Sequence, residues 1–289
     1  WGASFAAGGS YITNSIGHII LSLLVDNGPG AEWLTTMFLA PMVEEPLKAS
    51  ILIIVALTPW FDNTTDGFVY GAAAGLGFAM TENILYFSRV ADQSMTFWFS
   101  TVLIRTATSG VMHAAATSVV GAALGWAKTK TVDIQATALC MGIVTAITIH
   151  TIWNGLLVIG QVTGEEMFRL DVLIFSVEFL LIFCIFMFCL QGEHRMIRRE
   201  LMEEAAGGVL PPQHVAIISS VVKRNKPGWC PSHIDQQEYI RIATQLAFRR
   251  MQCRGRGRRQ TRYHQEAREL RHDLRRLLGT RPGRAPEDQ

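Results

Sequence analysis

Residues 31–57 read AEWLTTMFLAPMVEEPLKASILIIVAL. The run exceeds the roughly 20 apolar residues that a helix needs to cross a bilayer. Its midpoint falls on residue 44, where Glu44 and Glu45 stand together with Lys48 close behind. An ionisable side chain at the centre of a membrane helix costs about 2.5–3.5 kcal/mol even on the gentler insertion scales, so three at one place demand a use. Pro41 and Pro46 bracket the acids. Pro46 removes a backbone donor and clashes with the Met42 carbonyl, and Pro41 breaks the helix once more. Broken helix at membrane depth is tolerated where it is buried in protein or lines a wet cavity. The stretch therefore predicts a hydrated cavity inside an all-α, polytopic membrane helix bundle.

Five further apolar runs flank it, at about 4–25, 67–88, 95–126, 134–160 and 171–190, making six expected spans. The 95–126 run is longer than one crossing requires and is expected to tilt or project. The first run, opening on Trp1 rather than Met, is the least sharply bounded, and a further helix upstream is left open. No basic start with a small-residue cleavage site marks a signal peptide.

The chain has 289 residues, 49% of them hydrophobic and 17% charged, with a net charge of +2. That near-neutrality is a cancellation. Residues 1–191 hold 6 Lys/Arg and 13 Asp/Glu (net −7), and residues 192–289 hold 20 and 11 (net +9). The division predicts a transmembrane domain at 1–191 and a basic helical tail at 192–289. It excludes a single soluble domain, a disordered chain and a disulfide scaffold. Arg195, Arg198 and Arg199 open the tail and assign it to the cytoplasmic side, together with Lys128 and Lys130, while Glu165, Glu166 and Asp171 fall outside. The five scattered cysteines form no C-x-x-C pair and read as structural.

Ionisable residues recur at one depth. Glu82-Asn83 lies about five residues past the midpoint of its run, His113 near residue 110 at the centre of the fourth, and His150 and Asn154 near residue 147 at the centre of the fifth. At 1.5 Å rise per residue all lie within about 10 Å of the midplane. His150 and Asn154 are an i,i+4 pair on one helix face. Glu44 and Glu45 diverge by about 100°, so one is free to act on a substrate while the other meets Lys48. Gly67, Gly71 and Gly75 form a small-residue stripe for close helix packing, and no phosphate-cradling glycine motif occurs. His18 has no acidic companion. Arg105 and Glu178, nearer helix ends, are expected to snorkel to headgroups, and Phe97, Trp98, Phe99 and Trp126 to anchor at the interface.

Glu44-Glu45-Pro46-Leu47-Lys48 matches an EExxK motif, and Tyr70-Gly71 through Gly75, Gly77, Phe78 and Glu82-Asn83 matches YGxxxGxGFxxxEN. With His113 and His150-x-x-x-Asn154 these resemble, over roughly residues 31–160, the PrsW family of intramembrane proteases, distant relatives of the CAAX-processing and bacteriocin-processing membrane proteases. The resemblance implies a polytopic bacterial membrane protein that cleaves membrane-protein or peptide substrates, such as anti-sigma factors, in or near the bilayer. The family is usually classed as metalloproteases. In the CAAX relatives the second motif ends in His, where this chain has Glu82.

Peptide hydrolysis needs a water nucleophile, a base and donors for the oxyanion. In the preferred arrangement Glu82, His113 and His150 hold a divalent metal, zinc being the first choice. Glu44 or Glu45 is then the general base, and Asn154 serves the oxyanion or fixes the His150 ring. In the metal-free version Glu44 or Glu45 activates water, with His150 and Asn154 at the oxyanion. No H-E-x-x-H helix is present. The competing readings are a proton- or ion-coupled transporter, disfavoured by the lack of an internal repeat, and a catalytically inactive membrane scaffold. In the tail, a polar helix at 193–206 ending at Gly207-Gly208, a short segment from Pro211-Pro212 to Val222 and a helical stretch at 235–278 are expected. Arginines from Arg254 to Arg259 interrupt that stretch, and the end frays from Gly279. The arginines are expected to face solvent or anionic headgroups. No nucleic-acid partner is expected. The localisation read from these features is multi-pass in the bacterial plasma membrane.

Overall fold

The computed structural model describes residues 1–25, 29–58, 60–163, 167–254 and 260–279. Glu165, Glu166, Arg256, Arg258, Arg259 and the end beyond Gly279 lie outside the described residues, and with them the expectations of an acidic loop, an arginine break and a frayed terminus. Every regular element among the described residues is helical. A π-helical turn at Gly2–Ala6 leads into α1 (Ala7–Leu24), then α2 (Pro29–Leu34), a second π-helical turn (Thr35–Leu39) and α3 (Ala40–Ala56). There follow α4 (Thr64–Arg89), α5 (Met95–Ala127), α6 (Val132–Thr163) and α7 (Met167–Ala206), and then α8 (Pro212–Ile218), α9 (Val221–Arg224), α10 (Gln236–Cys253) and α11 (Gln260–Leu278). The chain separates into two compact units, one of Trp1–Lys128 and Asp133–Met187, the other of Thr129–Val132 and Phe188–Gln289.

Three helices among the described residues are long and apolar enough to cross a membrane: Met95–Ala127, Val132–Gly160 and Phe175–Ala206. The runs on α1, α3 and α4 fall short of that mark. In α3 the cause is visible, because its 17 residues include two carboxylates and a lysine.

In the first unit the seam between α4 and α5 is built from glycine. A methyl on Gly67 would strike the Gly121 carbonyl, one on Gly75 the His113 carbonyl, and one on Gly71 would come within 2.5 Å of the Thr117 carbonyl. The stripe thus does what its spacing indicates: it brings two backbones together with no side chain between them. Gly71→Val is expected to cost about 1–3 kcal/mol through overpacking and to lower the unfolding midpoint in detergent. Gly8→Ala, where nothing lies within 4 Å, is the control that does not. On the other side of α5, Met112, Ala116 and Val120 pack with Ala49 and Leu52 of α3 and with Ala146 and Trp153 of α6. Lys128, just past α5, donates to the Ala56 and Thr58 carbonyls at 2.8 and 3.1 Å, satisfying orphan groups where α3 ends. Asn63 caps α4 by accepting from the N–H groups of Thr65 and Asp66. Glu178 does not snorkel: it is buried, and one of its oxygens has no hydrogen-bond partner among the described residues.

The second unit packs Ile197 and Leu201 of α7 against Tyr239, Ala243 and Leu246 of α10 and Leu274 of α11. Gly208, at φ 70°, takes the left-handed conformation that closes α7. Arg250 does not face solvent as a basic tail would suggest. Glu200 and Glu204 are buried, and a buried carboxylate needs a partner. Arg250 pairs with both and with Glu203. Arg199 and Arg254 also contact Glu200, at 2.8 and 3.2 Å, and Arg271 contacts Glu204 at 2.8 Å.

Candidate active site

Four helices of the first unit converge on one polar cluster. From α3 come Glu44, Glu45 and Lys48, all buried, from α4 Glu82 and Asn83, from α5 His113 and Thr117, and from α6 His150. Lys48 lies three residues after Glu45 and four after Glu44, so its ammonium turns back over both carboxylates although they diverge around the helix. Nζ stands 2.7 Å from Glu45 Oε1, 3.5 Å from Glu44 Oε2 and 2.8 Å from His113 Nδ1. Both acids therefore meet Lys48, where the sequence suggested one. Phe78 closes the floor, its ring centroid 4.0 Å from the ammonium.

Each histidine rests on a carboxylate. His150 Nδ1 lies 2.8 Å from Glu45 Oε1, and His113 Nε2 lies 3.0 Å from Glu82 Oε2. The imidazoles meet edge-on with centroids 5.0 Å apart. Thr117 Oγ1 donates to Glu45 Oε2 at 3.4 Å. Arg105 belongs here too, not at the headgroups. It donates to Glu82 Oε2 at 3.3 Å and to Asn83 Oδ1 at 3.0 Å, with its guanidinium 3.5 Å from the Tyr86 ring centroid. The result is a closed network of paired charges, the condition under which burial of charge is tolerated.

The donor set fits a divalent metal. One ligand atom each from Glu44, His113 and His150 lies within 4.8 Å of the other two. Two imidazoles and a carboxylate, with one position left open, is a catalytic zinc set. Glu45 and Glu82 each bond one ring nitrogen, of His150 and His113 respectively, the kind of contact that fixes ring tautomer and orientation at a metal site. Glu44 thus completes the group in place of Glu82. The Glu82 carboxylate is turned to Nε2 of His113 and to Arg105. Lys48, bonded to His113 Nδ1, has to swing aside for a metal to take that nitrogen.

Residues 1–189 match the family described as PrsW family intramembrane metalloprotease. The chain belongs to the PrsW family. A 62-residue stretch is also 44% identical to Protease PrsW of Bacillus subtilis (strain 168), covering 21% of this chain and 28% of that protein. No solved structure matches. Membership in an intramembrane family, together with the apolar helices, makes the chain a membrane protein.

Of the PrsW-type residues singled out from sequence, Glu44, Glu45, Glu82, His113 and His150 meet in this cluster. Asn154 reaches elsewhere: its amide nitrogen donates to the Thr36 carbonyl at 2.7 Å, not to the His150 ring. His18 is exposed, beside Thr35 Oγ1, and takes no part. Three contributors escaped the sequence reading. Thr117 was findable, since it follows His113 by one helical turn. Arg105 was set aside for its position near a helix end. Asn14 of α1, which donates to Glu44 Oε1 at 3.2 Å, stands in a run with no charge to draw attention to it.

Proposed function

We propose that this chain is an intramembrane endopeptidase that hydrolyses peptide bonds of membrane-protein substrates, such as single-span proteins of the anti-sigma-factor kind. The observation that carries this is the buried group of Glu44, His113 and His150, with a carboxylate behind each imidazole. These three residues would hold a divalent metal, zinc by its donor types, and a metal so held supplies a Lewis acid and an acidified water. The protein's own part is positional and electrostatic. Glu45 holds His150 and Glu82 holds His113, each by one ring nitrogen, and so they fix how the two imidazoles stand. In the metal-free version Glu44 takes the proton of the attacking water and returns it to the leaving amine. Lys48 balances the buried carboxylates, and Arg105 keeps Glu82 turned to His113.

In the same proposal the chain spans the bacterial plasma membrane six times. Its second unit is a separate cytoplasmic domain whose exposed arginines meet anionic headgroups.

The test is reconstitution in liposomes with a single-span substrate. Wild type is expected to cleave and to carry about one zinc per chain, and His113→Ala to lose both. Cleavage retained by His113→Ala, or ion flux across the liposome without cleavage, sinks the proposal.

A further inference from the structure

The helix that delivers Glu44 and Glu45 is entered through the π-helical turn Thr35–Leu39, in which the Ala40 N–H bonds the Thr35 carbonyl five residues back. The next carbonyl in that ladder belongs to Thr36 and would receive the N–H of residue 41. Residue 41 is proline, which has no N–H to give. At membrane depth a peptide carbonyl without a donor is strongly disfavoured, because no water replaces the missing bond. Asn154 Nδ2 donates to that oxygen at 2.7 Å, across 118 residues of chain.

We infer that Asn154 is a positioning residue that stands in for the backbone donor Pro41 lacks, and so pins α6 to the π-helical turn at the mouth of α3. A π turn places its residues differently around the axis from an α turn, so holding it open sets the rotation at which Glu44 and Glu45 enter the cluster. His150 lies one helical turn before Asn154. The latch therefore fixes the same two helices that the Glu45–His150 bond joins at 2.8 Å. The consequence for catalysis rests on the protease reading above, whereas the latch itself does not.

That difference shapes the test, which uses the full chain with Asn154→Ala, Asn154→Asp, Pro41→Ala and the Pro41→Ala/Asn154→Ala pair. Unfolding midpoints are read in detergent and cleavage in liposomes. Asn154→Ala is expected to lower the midpoint by at least about 2–4 °C and to reduce cleavage by on the order of 10²-fold through misplacement of the carboxylates. Pro41→Ala restores an N–H for Thr36, so Asn154→Ala is expected to cost little in that background and cleavage to recover toward that of Pro41→Ala alone. Equal losses in both backgrounds would mean independent roles and overturn the inference, as would loss of cleavage at Asn154→Ala with no change in midpoint. Should Pro41→Ala not fold, Asn154→Asp carries the test: it keeps the shape but turns an acceptor toward the carbonyl, and an unchanged midpoint at neutral pH overturns the latch. A wild type without cleavage tells against the protease reading alone, since the midpoints still report the latch.

Discussion

Glu44→Gln is expected to reduce cleavage by about 10²–10⁴-fold and to strip the bound metal, while Glu45→Gln reduces it by only about 10–100-fold. The two acids are adjacent in sequence and both buried, so the difference lies in how their oxygens are occupied. Glu45 Oε1 already receives Lys48 at 2.7 Å and His150 at 2.8 Å, and its Oε2 receives Thr117 at 3.4 Å. Its lone pairs are committed to holding other groups. Glu44 has one bond from Asn14 at 3.2 Å and a long one from Lys48 at 3.5 Å, which leaves capacity for a metal or a water. Amide oxygens still accept, so Glu45→Gln keeps part of the support for His150, whereas Glu44→Gln loses the charge that ligation or proton transfer requires. Steady-state cleavage and metal content of the purified variants decide it. The reverse order of severity would assign the chemistry to Glu45.

Lys48→Met is expected to destabilise the first unit by about 3–5 kcal/mol, the cost of leaving a buried charge without its partner. Methionine fills the stem and keeps the contact with Phe78, so lost packing is a small part of the effect. Glu45 is fully buried, and Lys48 is 2.7 Å away with no exposure of its own. Removing the ammonium leaves three carboxylates facing two imidazoles and one arginine. Glu45→Gln in the Lys48→Met background is expected to recover part of the loss, because it removes the carboxylate left without its cation. Thermal unfolding of the two single variants and the pair gives the coupling directly. A midpoint for Lys48→Met equal to that of wild type would mean that the network is not the source of stability assigned to it.

Much of the site could be read from sequence because membrane depth is a strong filter. Ionisable residues are costly there, so Glu44, Glu45, Glu82, His113 and His150 stand out from an apolar background and align by counting residues from each midpoint. The glycine spacing of four was legible for a similar reason, since only packing explains it. What escaped depended on lateral geometry. Whether Glu44 or Glu82 joins the two histidines is decided by how α3 and α4 rotate against α5, which no spacing records. Arg105 looks like a residue able to reach the headgroups until Glu82 and Asn83 turn out to face it across the seam. Asn154 is expected from its spacing to serve the oxyanion or to fix the ring one turn away, whereas its amide donates to the Thr36 carbonyl more than a hundred positions earlier. Glu178 shows the limit of the filter, for position near a helix end did not reveal that the side chain is covered.

The seam between α4 and α5 has one more consequence. Where glycine meets backbone there are no rotamers to change and no flexible atoms to yield, so the two helices behave as a single welded plate carrying Glu82 and His113 at a fixed separation. The opposite wall, α3 and α6, meets α5 through side chains such as Ala49, Leu52, Ala146 and Trp153. On the proposed protease reading, a peptide strand would therefore be admitted by movement of α3 and α6 against a fixed α4–α5 plate.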